Sequence, residues 1–234
     1  MNKASAREKN NWKKFGEIWG EKKMENITIR QETERDYEAV EKLTREAFWN
    51  VYEPGCTEHY MVHVIRSHQD YIPELDLIAE INGEIVGHII YTKSKLVDEN
   101  GVEKDILSFG PLSVSPTHQR KGIGKKIQAA SFEKAVEMGY GSVVIFGNPG
   151  NYVTSGFKSC KKYNVCMKND IYPTPLLVKE LMSGAFDGRK CYFLESEAGN
   201  FDPKEAEVFD VSLNQRKRNG CQARKSFTSI RILH

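Results

Sequence analysis

A chain of 234 residues, 39% hydrophobic and 28% charged, suits one globular domain with short appendages, and it contains no run of about 18 apolar residues that would span a membrane. The formal charge of +2 is uneven: residues 1–23 carry +4 and residues 215–234 carry +6, which leaves −8 for residues 24–214. Five cysteines (Cys56, Cys160, Cys166, Cys191, Cys221) with no CxxC pair predict reduced thiols rather than a disulfide framework or a zinc site, and the N-terminus lacks the apolar core of a secretory signal, so a cytoplasmic protein is expected.

Residues 1–23 set Trp12, Phe15 and Trp19 at helical spacing among lysines, which fits either an amphipathic helix or a loosely docked extension. Alternation over Ile27 to Arg30 predicts a strand. "TERDYEAVEKLTREAFWN" then predicts a helix with Val40, Leu43, Ala47 and Phe48 on one face. The next segment breaks at Pro54-Gly55 and resumes with Tyr60, Val62, Val64 and Ile65. The clearest hairpin joins two apolar runs through Asn82-Gly83, a pair suited to the positive φ values of a type I′ turn. A second hairpin turns at Asp98 to Gly101 and returns over 104–114; within it Pro111 lacks a ladder donor and belongs at an edge or bulge.

After this strand, "KKIQAASFEKAVEMG" predicts a helix ending at Gly139, and "SVVIFG" a buried strand over 142–147. Beyond Phe157, "CKKYNVCMK" reads as a last core strand, "TPLLVKELMSGAF" as a helix, "KCYFLES" as a strand, and "DPKEAEVFDVSL" as a short helix or closing segment. From residue 214 the chain is basic and aperiodic, and a disordered tail is expected. The basic ends lack the interleaved aromatics of a nucleic-acid surface, so neither a nucleic acid nor a membrane is an expected partner.

The most informative stretch is "SVSPTHQRKGIGKK" (113–126), which gathers Arg120, Lys121, Lys125, Lys126 and two glycines between a strand and a helix start. A helix N-terminus offers unpaired N–H groups and partial positive charge, and glycines let a ligand approach the backbone. The loop is therefore built for phosphate. It is not a Walker loop, because Gln119 stands where the first glycine is required and Lys126 where Ser or Thr is; it is not a dinucleotide fingerprint, because Ile127 replaces the third glycine.

The run Gln119-Arg120-Lys121-Gly122-Ile123-Gly124 does match a Q/R-x-x-G-x-G/A pattern, and Tyr152 stands four residues before Gly156-Phe157. With these two motifs in order, residues 24–170 resemble the GNAT superfamily of acetyl-CoA-dependent N-acyltransferases, in particular a bacterial subgroup of predicted acetyltransferases. The resemblance implies a mixed α/β (α+β) fold: a central, mostly antiparallel sheet splayed between strands 4 and 5 and flanked by helices. Residues 171–213 would be a C-terminal extension packed on that domain.

The resemblance also implies acetyl-CoA as co-substrate. Its pyrophosphate would lie on Gln119, Arg120, Lys121, Gly122, Ile123, Gly124 and Lys125, its pantetheine arm along the backbone of Leu112, Ser113 and Val114, with Asn151 nearby. Tyr152 takes the family position of the tyrosine beside the coenzyme sulfur, and the acceptor would be a primary amine of a small molecule or peptide, bound by a monomer or homodimer. Members of the family often carry a carboxylate on the strand read here as "ILSFGPL", which has none. The proton would then leave through water or to a residue of the acceptor segment, where Glu58 is the candidate base ahead of His59 and His63. No metal is expected, since His59, His63 and His68 lack a carboxylate or cysteine to complete a set. The alternative function is a non-catalytic acyl-CoA-binding module of the same fold.

Overall fold

The computed structural model describes residues 26–213 of the chain. The expectations for residues 1–23 and 214–234 lie outside the described residues. The elements run β1 (Ile27–Gln31), α1 (Tyr37–Phe48), α2 (Glu58–Ile65), β2 (Leu77–Ile81), β3 (Glu84–Asp98), β4 (Glu103–Val114), α3 (Ile123–Glu137), β5 (Ser142–Phe146), α4 (Pro149–Tyr152), β6 (Lys158–Ser159), β7 (Val165–Cys166), β8 (Leu176–Glu180), β9 (Cys191–Leu194) and α5 (Pro203–Ser212).

One sheet holds the strands, in the order β1-β2-β3-β4-β5-β8-β6, with β9 on β3 and β7 on β9. All pairs are antiparallel except β4/β5 and β7/β9. Asn82 (φ 53°) and Gly83 (φ 83°) make the β2–β3 turn with the positive φ values that a type I′ hairpin needs. The β3/β4 register passes from Ile89↔Leu112 to Tyr91↔Phe109, so Gly110 and Pro111 together oppose Ile90 and form the bulge expected of a proline without a ladder donor.

Strands β4 and β5 are in register at the single pair Leu107↔Val143, and below it the edge of β4 from Ser108 to Val114 is unpaired toward β5. This is the predicted splay. Helix α3 covers one face of the sheet, where Ile123, Ile127 and Ala135 pack with Ala79, Ile89, Tyr91, Leu107 and Phe109. Helices α1 and α2 cover the other, where Val40, Val62 and Ile65 pack on Ile78 and Ile90. A third cluster, with Leu96, Ile106, Val144, Leu176, Val178 and Phe193, fills the space closed off by β8 and β9.

The C-terminal third departs from expectation. "TPLLVKELMSGAF" is not a helix: Leu176–Glu180 is strand β8, paired along β5. Leu176 and Val178 enter one cluster and Leu177 the opposite one, so the run is buried on both faces and carries no helical period. "CKKYNVCMK" contributes only a 3₁₀ turn at Cys160–Tyr163, a left-handed Asn164 (φ 55°) and the two-residue β7. Residues 171–213 supply β8, β9 and α5.

Candidate functional site

The basic glycine loop opens directly onto α3. Gly122 caps the helix in the left-handed region (φ 85°), and Arg120 also has positive φ (63°), so the backbone turns sharply and aims successive N–H groups outward. Among the described residues, no acceptor takes the N–H groups of Gly122 to Lys125, and no carboxylate pairs with Arg120, Lys121, Lys125 or Lys126. Two lysines in the first turn oppose the helix dipole. Four unneutralised cations around a free helix start form a site that an anion stabilises. A Cβ on Gly124 would lie in ordinary contact with the side chains of Val114 (3.6 Å) and Leu112 (3.9 Å), so this glycine packs against the end of β4.

Along that edge the three predicted backbone positions behave differently. Leu112, Ser113 and Val114 pair with β3 on one side and lie open on the other. The Ser113 hydroxyl is buried and donates to Thr44 Oγ1 (2.9 Å), which ties β4 to α1. The Val114 carbonyl accepts from Gln119 Nε2 (3.2 Å), which folds the loop back on the strand. Asn151 is exposed on α4; the helix cap is Asn148, whose side chain accepts from Gly150 N–H (2.9 Å).

The geometry explains the Tyr-x-x-x-Gly-Phe spacing. Tyr152 ends α4, Gly156 turns the chain with φ 90°, and the Phe157 N–H returns to the Tyr152 carbonyl (3.3 Å). Phe157 is fully buried and supports the tyrosine ring at 5.6 Å, with Phe109 of β4 at 5.9 Å. Burial pushes the Tyr152 phenol well above the ordinary tyrosine range, and the neighbouring Tyr52 adds to the shift, so the hydroxyl keeps its proton.

Glu58 begins α2, and its carboxylate accepts from Thr57 N–H (3.1 Å). Burial raises this carboxyl to about 6, against the opposing effect of its backbone hydrogen bonds. Tyr52, in the α1–α2 connection, is raised first by burial and then by the Glu58 charge, and it itself acts on Tyr152. Glu58, Tyr52 and Tyr152 thus share one electrostatic neighbourhood.

The histidines do not converge. His59 is buried beside Cys56 (3.4 Å to Nδ1) and Asp210 (3.3 Å), His63 meets Glu41 (3.0 Å), and His68 approaches Asp70 (3.6 Å). Burial pushes the Cys56 thiol up to about 12, so it is a packed, unreactive group. Among the described residues the one cluster with metal-ligand spacing is Glu32, Asp76 and His88, all buried with ligand atoms within 4.8 Å. Its oxygens are already used: Arg66 binds Glu32 (2.7 Å), and Asp76 accepts from Tyr71 (2.8 Å) and faces His88 Nε2 (2.8 Å).

Two residues of the site gave no signal in the sequence. Tyr52 and Phe109 carry no motif, yet the first acts on the Tyr152 phenol and the second flanks its ring.

The acetyltransferase (GNAT) family matches residues 37–154, and the chain belongs to that family. Among curated proteins it is similar to the uncharacterized N-acetyltransferase YjhQ of Escherichia coli K12, 26% identical over 125 residues that cover 53% of this chain. The match spans 61% of the length of YjhQ. The uncharacterized N-acetyltransferase YhbS of the same organism is 26% identical over 133 residues, 56% of this chain and 74% of the relative. Among solved structures, E. coli YhbS in complex with CoA has a TM-score of 0.63 at 21% identity, covering 75% of this chain and 93% of that one. A GNAT acetyltransferase from Brucella melitensis in complex with acetyl-CoA has a TM-score of 0.59 at 23% identity, covering 75% and 99%. At these identities the structures establish the shared fold.

Proposed function

We propose that the protein transfers the acetyl group of acetyl-CoA to a primary amine of a small molecule or peptide, by direct attack within a ternary complex. The observation that carries this reading is the free N-terminus of α3, ringed by four unneutralised cations and adjoining the unpaired edge of β4 where β5 departs. The two solved relatives with CoA and acetyl-CoA lend it support.

In this reading the N–H groups of Arg120 to Lys125 receive the pyrophosphate, and the open edge at Leu112 to Val114 receives the amide groups of the pantetheine arm as an added strand would. The amine nitrogen attacks the thioester carbonyl, the C–S bond breaks, and the proton of Tyr152 goes to the departing sulfur. The proton lost by the amine goes to Glu58, directly or through water. An alkylammonium with a pKa of about 10.4 is only about 0.04% neutral at pH 7, so a carboxylate ready to accept a proton near neutrality shortens the route to the reactive form.

The test is release of free CoA thiol from acetyl-CoA on addition of a panel of primary amines, with the acetylated amine identified by mass. Amine-dependent release is expected. Tight acetyl-CoA binding without transfer to any amine would replace the enzyme with a binding module.

A further inference from the structure

The hydrogen-bond phase of β4 decides which of its backbone groups face the open edge. The Ser115 N–H donates to the Val86 carbonyl (2.9 Å), so that pair exchanges ladder bonds with β3, and by alternation so does Ser113↔His88. Val114 and Leu112, opposite Gly87 and Ile89, take the alternate positions, and their N–H and C=O groups point away from β3. Among the described residues, the outward groups of Leu112 and the Val114 N–H meet no hydrogen-bond partner. The Val114 carbonyl does: Gln119 Nε2 donates to it at 3.2 Å.

That bond closes the end of the edge nearest the basic loop. Loop and strand are also pressed together beneath it. A Cβ on Gly87, the partner of Val114, would meet Ile123 Cγ2 at 3.0 Å, so the bare glycine lets the first residue of α3 settle on the sheet. The start of α3 is therefore seated at one height over the end of β4, and a ligand held at the loop meets the strand at Val114 first. An arm running from there toward Tyr152, whose ring lies 5.9 Å from Phe109, passes the Val114 carbonyl before any other acceptor on the edge.

From this geometry we infer that Gln119 is a positioning residue that sets the register of the coenzyme arm on β4. This inference rests on the coenzyme-binding reading above. With the Val114 carbonyl capped, the first free groups are the Val114 N–H and those of Leu112, so the arm pairs in one register, with its thioester carried as far as Tyr152. An uncapped Val114 carbonyl offers a second register that begins one carbonyl early. Two residues of antiparallel strand separate the registers, so the second holds the thioester roughly 7 Å short of the tyrosine. Gln119 thus acts through Val114, its amide turned to the strand and not to the pyrophosphate.

The test uses the full chain, the variant Gln119→Met, and acetyl-CoA labelled isotopically at the thioester carbonyl. Methionine keeps the length of glutamine and has no N–H to donate. NMR of the saturated protein should show one bound carbonyl resonance in the wild type, and in Gln119→Met a second resonance or one displaced from the wild-type position. The freed carbonyl, on the usual scale of one hydrogen bond, should lower kcat by about fivefold while the calorimetric dissociation constant of acetyl-CoA stays within about threefold of wild type. The NMR signal needs no turnover, so it reads the register even in a protein that binds the coenzyme without transferring its acetyl group. A resonance that stays single and at its wild-type position in Gln119→Met overturns the inference and leaves the coenzyme reading intact. The same spectrum together with weaker binding also overturns it, and makes Gln119 a pyrophosphate ligand. No bound resonance in the folded wild-type protein overturns the coenzyme reading, and the inference falls with it.

Discussion

The ring of Tyr152 lies against the backbone of Gly147, so closely that a methyl group on Gly147 would meet ring atom Cε2 at 2.5 Å and Cδ2 at 2.9 Å. The glycine at the exit of β5 thus fixes where the tyrosine hydroxyl points. Gly147→Ala is expected to fold, to push the ring out of its contact with Phe109 and Phe157, and to lower kcat by about a hundredfold, the scale on which misplacement of about 1 Å acts. The dissociation constant for acetyl-CoA should change much less. Unaltered kcat in the folded variant would separate the ring's position from the chemistry.

Removal of the hydroxyl alone is a more conservative change. Tyr152→Phe keeps the ring between Phe109 and Phe157 and deletes the proposed proton donor, so turnover should fall by about a hundredfold with coenzyme affinity nearly retained. Steady-state kinetics set against a binding titration distinguish this from a packing role, which would weaken both together.

With Glu58 as the proposed base, its carboxyl should set the pH dependence. A group raised to about 6 is protonated below that pH and cannot accept the amine's proton, whereas above it the carboxylate is free to do so. kcat/KM should therefore climb as pH rises through about 6, over and above the climb that comes from deprotonation of the amine itself. In Glu58→Gln the first of these limbs should vanish and the second remain. A limb near 6 that persists in Glu58→Gln would assign that ionisation elsewhere.

The local signals in the sequence were strong where chemistry is written in consecutive residues. The loop Gln119 to Gly124, the Asn82-Gly83 turn, and the spacing from Tyr152 to Gly156-Phe157 each specify a backbone conformation through glycine or asparagine at positive φ, and each is present as expected. Pro111 in its bulge belongs with them. The C-terminal third was less legible because its determinants are long-range. Leu176 to Val178 are buried on both sides of the sheet, which erases the alternation that marks a half-buried strand, and β9 gains its register from β3 nearly a hundred residues earlier.

Helix α5 is fastened by a buried ion pair. Arg45 of α1 donates from Nε to Asp210 Oδ1 at 2.6 Å, with the two side chains 5% and 2% exposed, and the Arg45 guanidinium also lies 4.0 Å from the Trp49 ring. Asp210→Ala would leave a guanidinium buried without its counterion, at a cost of about 3 kcal/mol. A loss of that size in the unfolding free energy from urea denaturation is expected. A change below about 0.5 kcal/mol, the range of ordinary surface substitutions, would mean that α5 is held by its apolar contacts alone.

The most direct test of the account is calorimetric titration of the purified protein with acetyl-CoA, with ATP and NAD as controls. The open start of α3 beside the free edge of β4 predicts saturable binding of acetyl-CoA that neither control matches, because only the coenzyme offers a pyrophosphate together with an arm that can pair along Leu112 to Val114. Folded, coenzyme-free protein that binds none of the three, or all of them alike, would contradict the assignment of that loop.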